Sequence, residues 1–241
     1  MSDERFAARA RDERRRRLLK IALAVLAVVV AGVVAWLIWF SSVLAVRDVD
    51  VSGRSTLRES QVLDAADVPT GRPLARVDVA AIEGRIASLE RIDSVDVTRS
   101  WPHTLSISVV ERQAVIWSTS GGTIRGIDRN GIDFRSYRSA PKGLLEAKIS
   151  AVDGEERLRV ARSVARVVEL VTDRDPALRK QIQSIRADTL DSIELDLTEG
   201  RTVVWGSSDD GARKLQVLEP LLGIDAARYD VSAPDQPTTR Q

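Results

Sequence analysis

VTRSWPHTLSISVVERQAVIW, residues 97–117, sets alternating runs on either side of Trp101-Pro102-His103, and their phasing decides the fold around them. On one side Val95 and Val97 alternate with Asp96 and Thr98. On the other, Leu105, Ile107 and Val109 alternate with Ser106 and Ser108. A period of two with one wet face marks half-buried strands. For both apolar sets to meet one core, odd-numbered residues must oppose odd-numbered residues, so the connecting loop must hold an odd number of residues. Trp101 to His103 satisfies this, as does Ser100 to Thr104. Proline fixes its φ and lacks a donor, which suits a turn and would damage a central strand. The single histidine, His103, is thereby expected at an exposed hairpin corner. With no cysteine and no second histidine, nothing completes a metal or nucleophile constellation around it.

Upstream, Val49 and Val51 alternate in a short strand that Ser52-Gly53 ends. Thr56-Leu57-Arg58-Glu59 has capping-box spacing, and Val62, Leu63 and Ala66 give a short helix its apolar face. Pro69 and Gly71 stop it. A second helix is expected from near Asp78, with Val79, Ile82, Ile86 and Leu89 on one stripe. Residues 46–112 therefore read as a β-α-α-β-β module whose sheet is covered on one face by two helices.

Ahead of this module lies IALAVLAVVVAGVVAWLIWF, Ile21 to Phe40, without a charge. At ~1.5 Å per helical residue it matches a hydrocarbon core of roughly 30 Å, so one transmembrane helix is expected. Residues 1–20 form a basic tail with eight Arg/Lys against four Asp/Glu, which the positive-inside rule keeps cytoplasmic, with everything after residue 40 outside. Residues 41–45 read as a linker. Val43-Leu44-Ala45 offers the small-residue spacing of a signal-peptidase site, but the apolar run exceeds the roughly 7–15 residues of a typical signal core. A retained anchor is the expectation.

Residues 113–233 read as a second, strand-rich domain with flanking helices. Strands are expected at Val115 to Ser118 and Thr123 to Ile127 around Gly121-Gly122, then a turn at Asp128 to Gly131 before Phe134. A long helix, Glu155 to Thr172, carries Val160, Val164, Val167, Val168 and Val171 on one stripe, with Arg157, Arg159, Arg162 and Arg166 as its solvated face. Strands recur at Ile182 to Arg186, Ser192 to Leu197 and Thr202 to Trp205. A last helix, Asp210 to Leu222, should bury Leu215, Leu218 and Leu222. Residues 234–241, rich in Pro and Thr, read as a mobile tail. The fold class is thus α+β: a single-pass anchor followed by two exported domains.

Beyond residue 20 the chain carries 28 basic against 31 acidic residues, which excludes a uniformly basic nucleic-acid-binding domain. Phosphate loops, Gly-x-Ser-x-Gly and His-Glu-x-x-His are absent from the sequence. Its carboxylates fall on alternating wet faces, and Glu111-Arg112 reads as a salt-bridged strand end. No catalytic, cofactor-binding or metal-ligating residue is expected, and binding is the remaining class.

Val49-x-Val51-x-Gly53, the helix pair and W-P-x-T-L-x-I-x-V-x-E-R at Trp101 to Arg112 resemble the POTRA domain of the bacterial cell-division protein family FtsQ, also called DivIB. Asp128-x-x-Gly131-x-x-Phe134, Lys214-Leu215, Leu221-Leu222 and Asp230-Val231-Ser232 resemble later landmarks of that family. One departure is Gln113-Ala114, where the family usually has proline and a kink between domains. The resemblance implies a non-enzymatic bitopic scaffold of the division machinery, enriched at the septum and without a cofactor. It also implies two membrane partners, FtsB and FtsL, with FtsB adding a strand beside Tyr229, Asp230, Val231, Ser232 and Ala233. The rival reading is an anchored POTRA-type chaperone or secretion accessory, and an anchored cell-wall enzyme is a third.

Overall fold

The computed structural model describes residues 3–150 and 154–241, with the side chains of 3–16 left aside. It divides into two compact units between Glu111 and Arg112. The chain is a mixed α+β protein, as the alternating patterns require.

In the first unit, helix α1 (Asp3–Phe40) is longer than the expected anchor, because residues 3–20 continue it. They contain no Gly or Pro and are rich in Ala, Arg, Glu and Leu, all strong helix formers. Within Arg17–Phe40 its most apolar window of eighteen residues has a mean hydropathy of 3.0 and lies outside the protein core. The expected linker 41–45 departs further from its reading. Ser41 accepts the Val43 N–H at 3.1 Å, Ser42–Leu44 turn, and Ala45 is buried and bridges Pro73. Val46 then donates to Arg72 O at 2.9 Å and accepts from Gly71 at 2.8 Å. An apolar Ala-Val pair that can be buried behaves as core even next to a membrane segment.

The module that follows has the expected order: β1 (Asp48–Ser52), α2 (Glu59–Ala66), α3 (Val79–Ala87), β2 (Ile92–Ser100) and β3 (Thr104–Glu111). The sheet order is β1-β3-β2, with β1 parallel to β3. Val95 opposes Val109, Val97 opposes Ile107 and Arg99 opposes Leu105, so the odd-on-odd register holds and the loop is residues 101–103. Val62, Leu74, Ile82, Ile86, Leu105, Ile107 and Val109 form the core between sheet and helices.

His103 sits at the corner, partly exposed, and what it contributes is its carbonyl. That oxygen accepts the Arg47 N–H at 2.9 Å and ties the corner to the start of β1. The ring lies 3.3 Å from Asp48 at the surface. Because the tie is backbone, His103→Asn is expected to shift the thermal midpoint by no more than about 2 °C, read by circular dichroism.

At two places the local structure differs from what the sequence pattern predicts. Thr56 does not cap α2. Its hydroxyl donates to Glu111, while the helix starts at Glu59 with the Arg58 N–H held by the Gln61 side chain at 3.1 Å. Glu111 and Arg112 do not pair with each other either. Glu111 accepts the N–H groups of Ser55, Thr56 and Leu57 at 2.6, 2.8 and 2.9 Å, with Arg91 3.9 Å away, whereas Arg112 donates to Asp128 at 2.6 Å. Adjacent strand residues point to opposite faces, so neighbours in sequence rarely share a partner.

The second unit is one sheet of nine strands, in order β12-β11-β10-β9-β8-β7-β4-β5-β6. Its strands are β4 (Ile116–Ser120), β5 (Thr123–Ile127), β6 (Asp133–Tyr137), β7 (Leu145–Ile149), β8 (Ile182–Ala187), β9 (Ile193–Leu197), β10 (Thr202–Gly206), β11 (Arg228–Asp230) and β12 (Thr238–Arg240). Helices α4 (Gly154–Arg174), α5 (Pro176–Gln181) and α6 (Gly211–Leu221) complete it. The α4 valine stripe is buried as expected. Its arginines are not all a solvated face: Arg157 bridges Ile149 O and Ser118 Oγ, and Arg162 reaches Asn130 O. Leu215 and Leu218 are buried, while Leu222 is only half-buried past the helix end.

Candidate partner-binding edge

The C-terminal end of the large sheet is assembled around three buried side chains. Trp205 on β10, Tyr229 on β11 and Lys214 on α6 are all 1 % exposed or less. Tyr229 donates its hydroxyl to Ile224 O at 2.8 Å, fixing the approach to β11. Lys214 donates to Ser207 O at 2.8 Å and lies 5.9 Å from the Trp205 ring centroid. Burial pushes the Lys214 ammonium pKa down, against the charges of Asp210, Asp209 and Asp191. One ordered amine thus holds the loop between β10 and α6.

After β11 the chain reverses. The Asp230 carboxylate accepts the Ser232 N–H at 3.0 Å and its hydroxyl at 2.7 Å, which is the local bond pattern that aspartate brings to turns. Ser232 packs on Gly206, whose φ of 74° and lack of Cβ leave room for it. An ion pair between Arg213 and Asp235 and a Gln236 N–H to Ala233 O bond at 3.0 Å carry the chain into β12. There Arg228 opposes Arg240, Tyr229 opposes Thr239 and Asp230 opposes Thr238, antiparallel.

Residues 234–241 are therefore not a free tail, because three of them are a strand. The Pro/Thr composition points to disorder, yet Thr238-Thr239 is a β-branched pair that favours a strand, and β11 offers it a side on which to pair. This places the five sequence-derived residues differently. Tyr229 and Val231 are buried core, Asp230 holds the turn, and Ser232 and Ala233 are exposed in it. Strand β11 has β10 on one side and β12 on the other, so the open edge lies one strand further out.

Backbone direction along that edge follows from the register. Thr202 donates to Ala227 O at 2.9 Å and Val231 donates to Val204 O at 3.0 Å, so the intervening Tyr229 turns its peptide groups to β10. Arg228 and Asp230 then face β12, and their partners Arg240 and Thr238 face back. The outward N–H and C=O of β12 belong to Thr239. On the sheet face, Arg186 pairs with Asp196 at 2.7 Å and Glu194 at 3.2 Å, and Arg228 pairs with Glu194 at 2.8 Å. Among the described residues no carboxylate pairs with Arg240, so the outermost strand carries a free positive charge.

No group of three or more His, Cys, Asp or Glu that could hold a metal ion occurs among the described residues. The arrangement offers an unpaired strand with a cation beside it, and such an edge can accept a further strand.

Comparison with known proteins gives two family matches: residues 44–112 match the FtsQ-type POTRA domain, and residues 115–231 match the C-terminal domain of cell division protein FtsQ/DivIB. The second match ends before β12. Among relatives, cell division protein FtsQ of Streptomyces collinus is 38% identical over 96% of this chain and 91% of its own length. That of Streptomyces bingchenggensis is 40% identical over 95% and 88%. That of Mycobacteroides abscessus is 34% identical over 92% of this chain and 69% of its own.

Proposed function

Because the chain belongs to the FtsQ family of cell division proteins, we propose that it is a non-enzymatic scaffold of the septal machinery that holds FtsB, with FtsL, at the open edge of its second unit. The N-terminus is cytoplasmic, and the POTRA module and the second unit lie on the outer side of the membrane, at the septum. The observation that carries the binding reading is the strand order, which leaves β12 with one unpaired side and places core-anchored β11 behind it. A partner strand would bond to Thr239, with an acidic side chain of the partner favoured beside Arg240.

Proline at Thr239 removes the outward N–H without touching the bonds that hold β12 to β11. Thr239→Pro is expected to weaken capture of purified FtsB–FtsL at least about tenfold in a pull-down, while the variant still melts cooperatively. Deleting residues 235–241 removes the strand itself and should reduce capture at least as far. Undiminished capture by both variants places the partner elsewhere, with the opposite edge at β6 the next strand to test.

A further inference from the structure

The POTRA module has two ends, and its topology fixes which of them faces the membrane. Strand β1 begins just after the anchor helix, and β3, parallel to it, begins at the same end. The corner 101–103, the chain between α2 and α3, and residues 45–47 therefore share one end of the module. Hydrogen bonds hold them together: Arg99 reaches Leu74 O at 3.0 Å and Val77 O at 2.7 Å, His103 O takes the Arg47 N–H, and Val46 pairs with Gly71 and Arg72. The Arg76 guanidinium lies 4.7 Å from the centroid of the Phe40 ring, the last residue of the apolar helix. No slack separates this end from the point where the helix leaves the hydrocarbon.

At that end Trp101 is 51% exposed and is followed by exposed Pro102. Trp101 takes no part in the core, although the module buries valines and leucines of lower hydrophobic area. Arg47, Arg72 and Arg76 are exposed at the same end of the module, where Asp48 lies 3.3 Å from His103. An indole prefers the headgroup layer, where its ring is half-shielded and its N–H finds an acceptor, and a guanidinium pairs with lipid phosphate.

We propose that the Trp101-Pro102 corner rests in the outer-leaflet headgroup layer as a second membrane contact, with Arg72 and Arg76 engaging the phosphates of anionic phospholipid. This rests on the reading of α1 as a membrane span. The contact fixes the tilt of the POTRA module on the bilayer, which a single helix does not.

The test uses the full chain in phosphatidylglycerol vesicles brominated near the headgroup end of the acyl chains. Trp36→Phe and Trp39→Phe remove the helix fluorophores, and the contribution of Trp101 is the difference made by adding Trp101→Phe. Its emission is expected to fall by about half relative to unbrominated vesicles and to shift to the blue. Arg72→Gln with Arg76→Gln should return at least half of the lost emission. Unquenched Trp101, when a separate chain that keeps Trp39 shows that residue quenched, overturns the contact while leaving the span intact. Unquenched Trp39 removes the span and the contact with it. Quenching unchanged in the double arginine variant overturns the phosphate pairing.

Discussion

Glu111→Ala is expected to destabilise the POTRA unit by roughly 3 kcal/mol, because it removes the one carboxylate that collects three backbone donors and a hydroxyl, the buried Leu57 N–H among them. Glu111 is 9% exposed at the end of β3. Burial alone would raise its pKa. The N–H groups of Leu57, Ser55 and Thr56 with the Thr56 hydroxyl outweigh that and bring it from 4.5 down to about 2. A carboxylate whose folded pKa lies below its unfolded value stabilises the fold above the unfolded pKa and loses that contribution as pH falls toward the folded one. The window is therefore about pH 5 to 2, across which roughly 3 kcal/mol disappears. Glu111→Gln keeps the size and one acceptor but aims an amide NH₂ at donors, so it should fall between wild type and alanine. Urea melts at pH 7 and pH 3 check both statements: wild type loses stability on acidification through this window, and the alanine variant loses less.

None of this was legible in the sequence, for a physical reason. Glu111 and its donors are about fifty-five positions apart, and only the parallel pairing of β1 with β3 brings the loop after β1 to the end of β3. The spacing of Thr56 to Glu59 is that of a helix cap, and spacing cannot reveal a competitor from another strand. The hairpin was different. Its parity argument is local, and Val97 opposite Ile107 follows from counting alone. Strand β7 escaped because Leu145-Glu-Ala-Lys-Ile149 combines a strand period with residues that favour helices, and its place between β4 and β8 decides the matter. Helix α5 is one and a half turns with one buried side chain, Leu178, too short for periodicity. At the candidate edge the sequence located β11 but not the strand that covers it.

Gly131→Ala is expected to cost the second unit at least about 3 kcal/mol, enough to lower its melting midpoint by roughly 10 °C. Gly131 closes the turn after β5 at a φ of 80°, where a side chain costs about 1–2 kcal/mol. A Cβ there would also fall against the backbone of α4, at Leu158 O and 2.7 Å from Arg162 N. Helix backbone cannot yield as a flexible side chain can, so either the turn or the helix must move. The same turn is held by Asp128, which is buried, accepts the Asn130 and Ile132 N–H groups at 2.8 Å each, and pairs with Arg112. Gly143→Ala, also at positive φ but with open space around the missing Cβ, is the matched control and should lose only the conformational part. Equal losses at the two glycines would show that the approach to α4 carries no weight.

The parallel pairing of β1 with β3 also determines how the POTRA module meets mechanical load. Tension on a dividing envelope would pull the chain at the start of β1, through the anchor, and at the end of β3, where the second unit begins. Those two points lie at opposite ends of adjacent parallel strands, so the pull runs along the strands in shear. The five register pairs from Asp48 with Thr104 to Ser52 with Ser108 then bear the force together instead of opening one after another. A hairpin pulled from its two open ends would unzip bond by bond. This module is wired as a clamp.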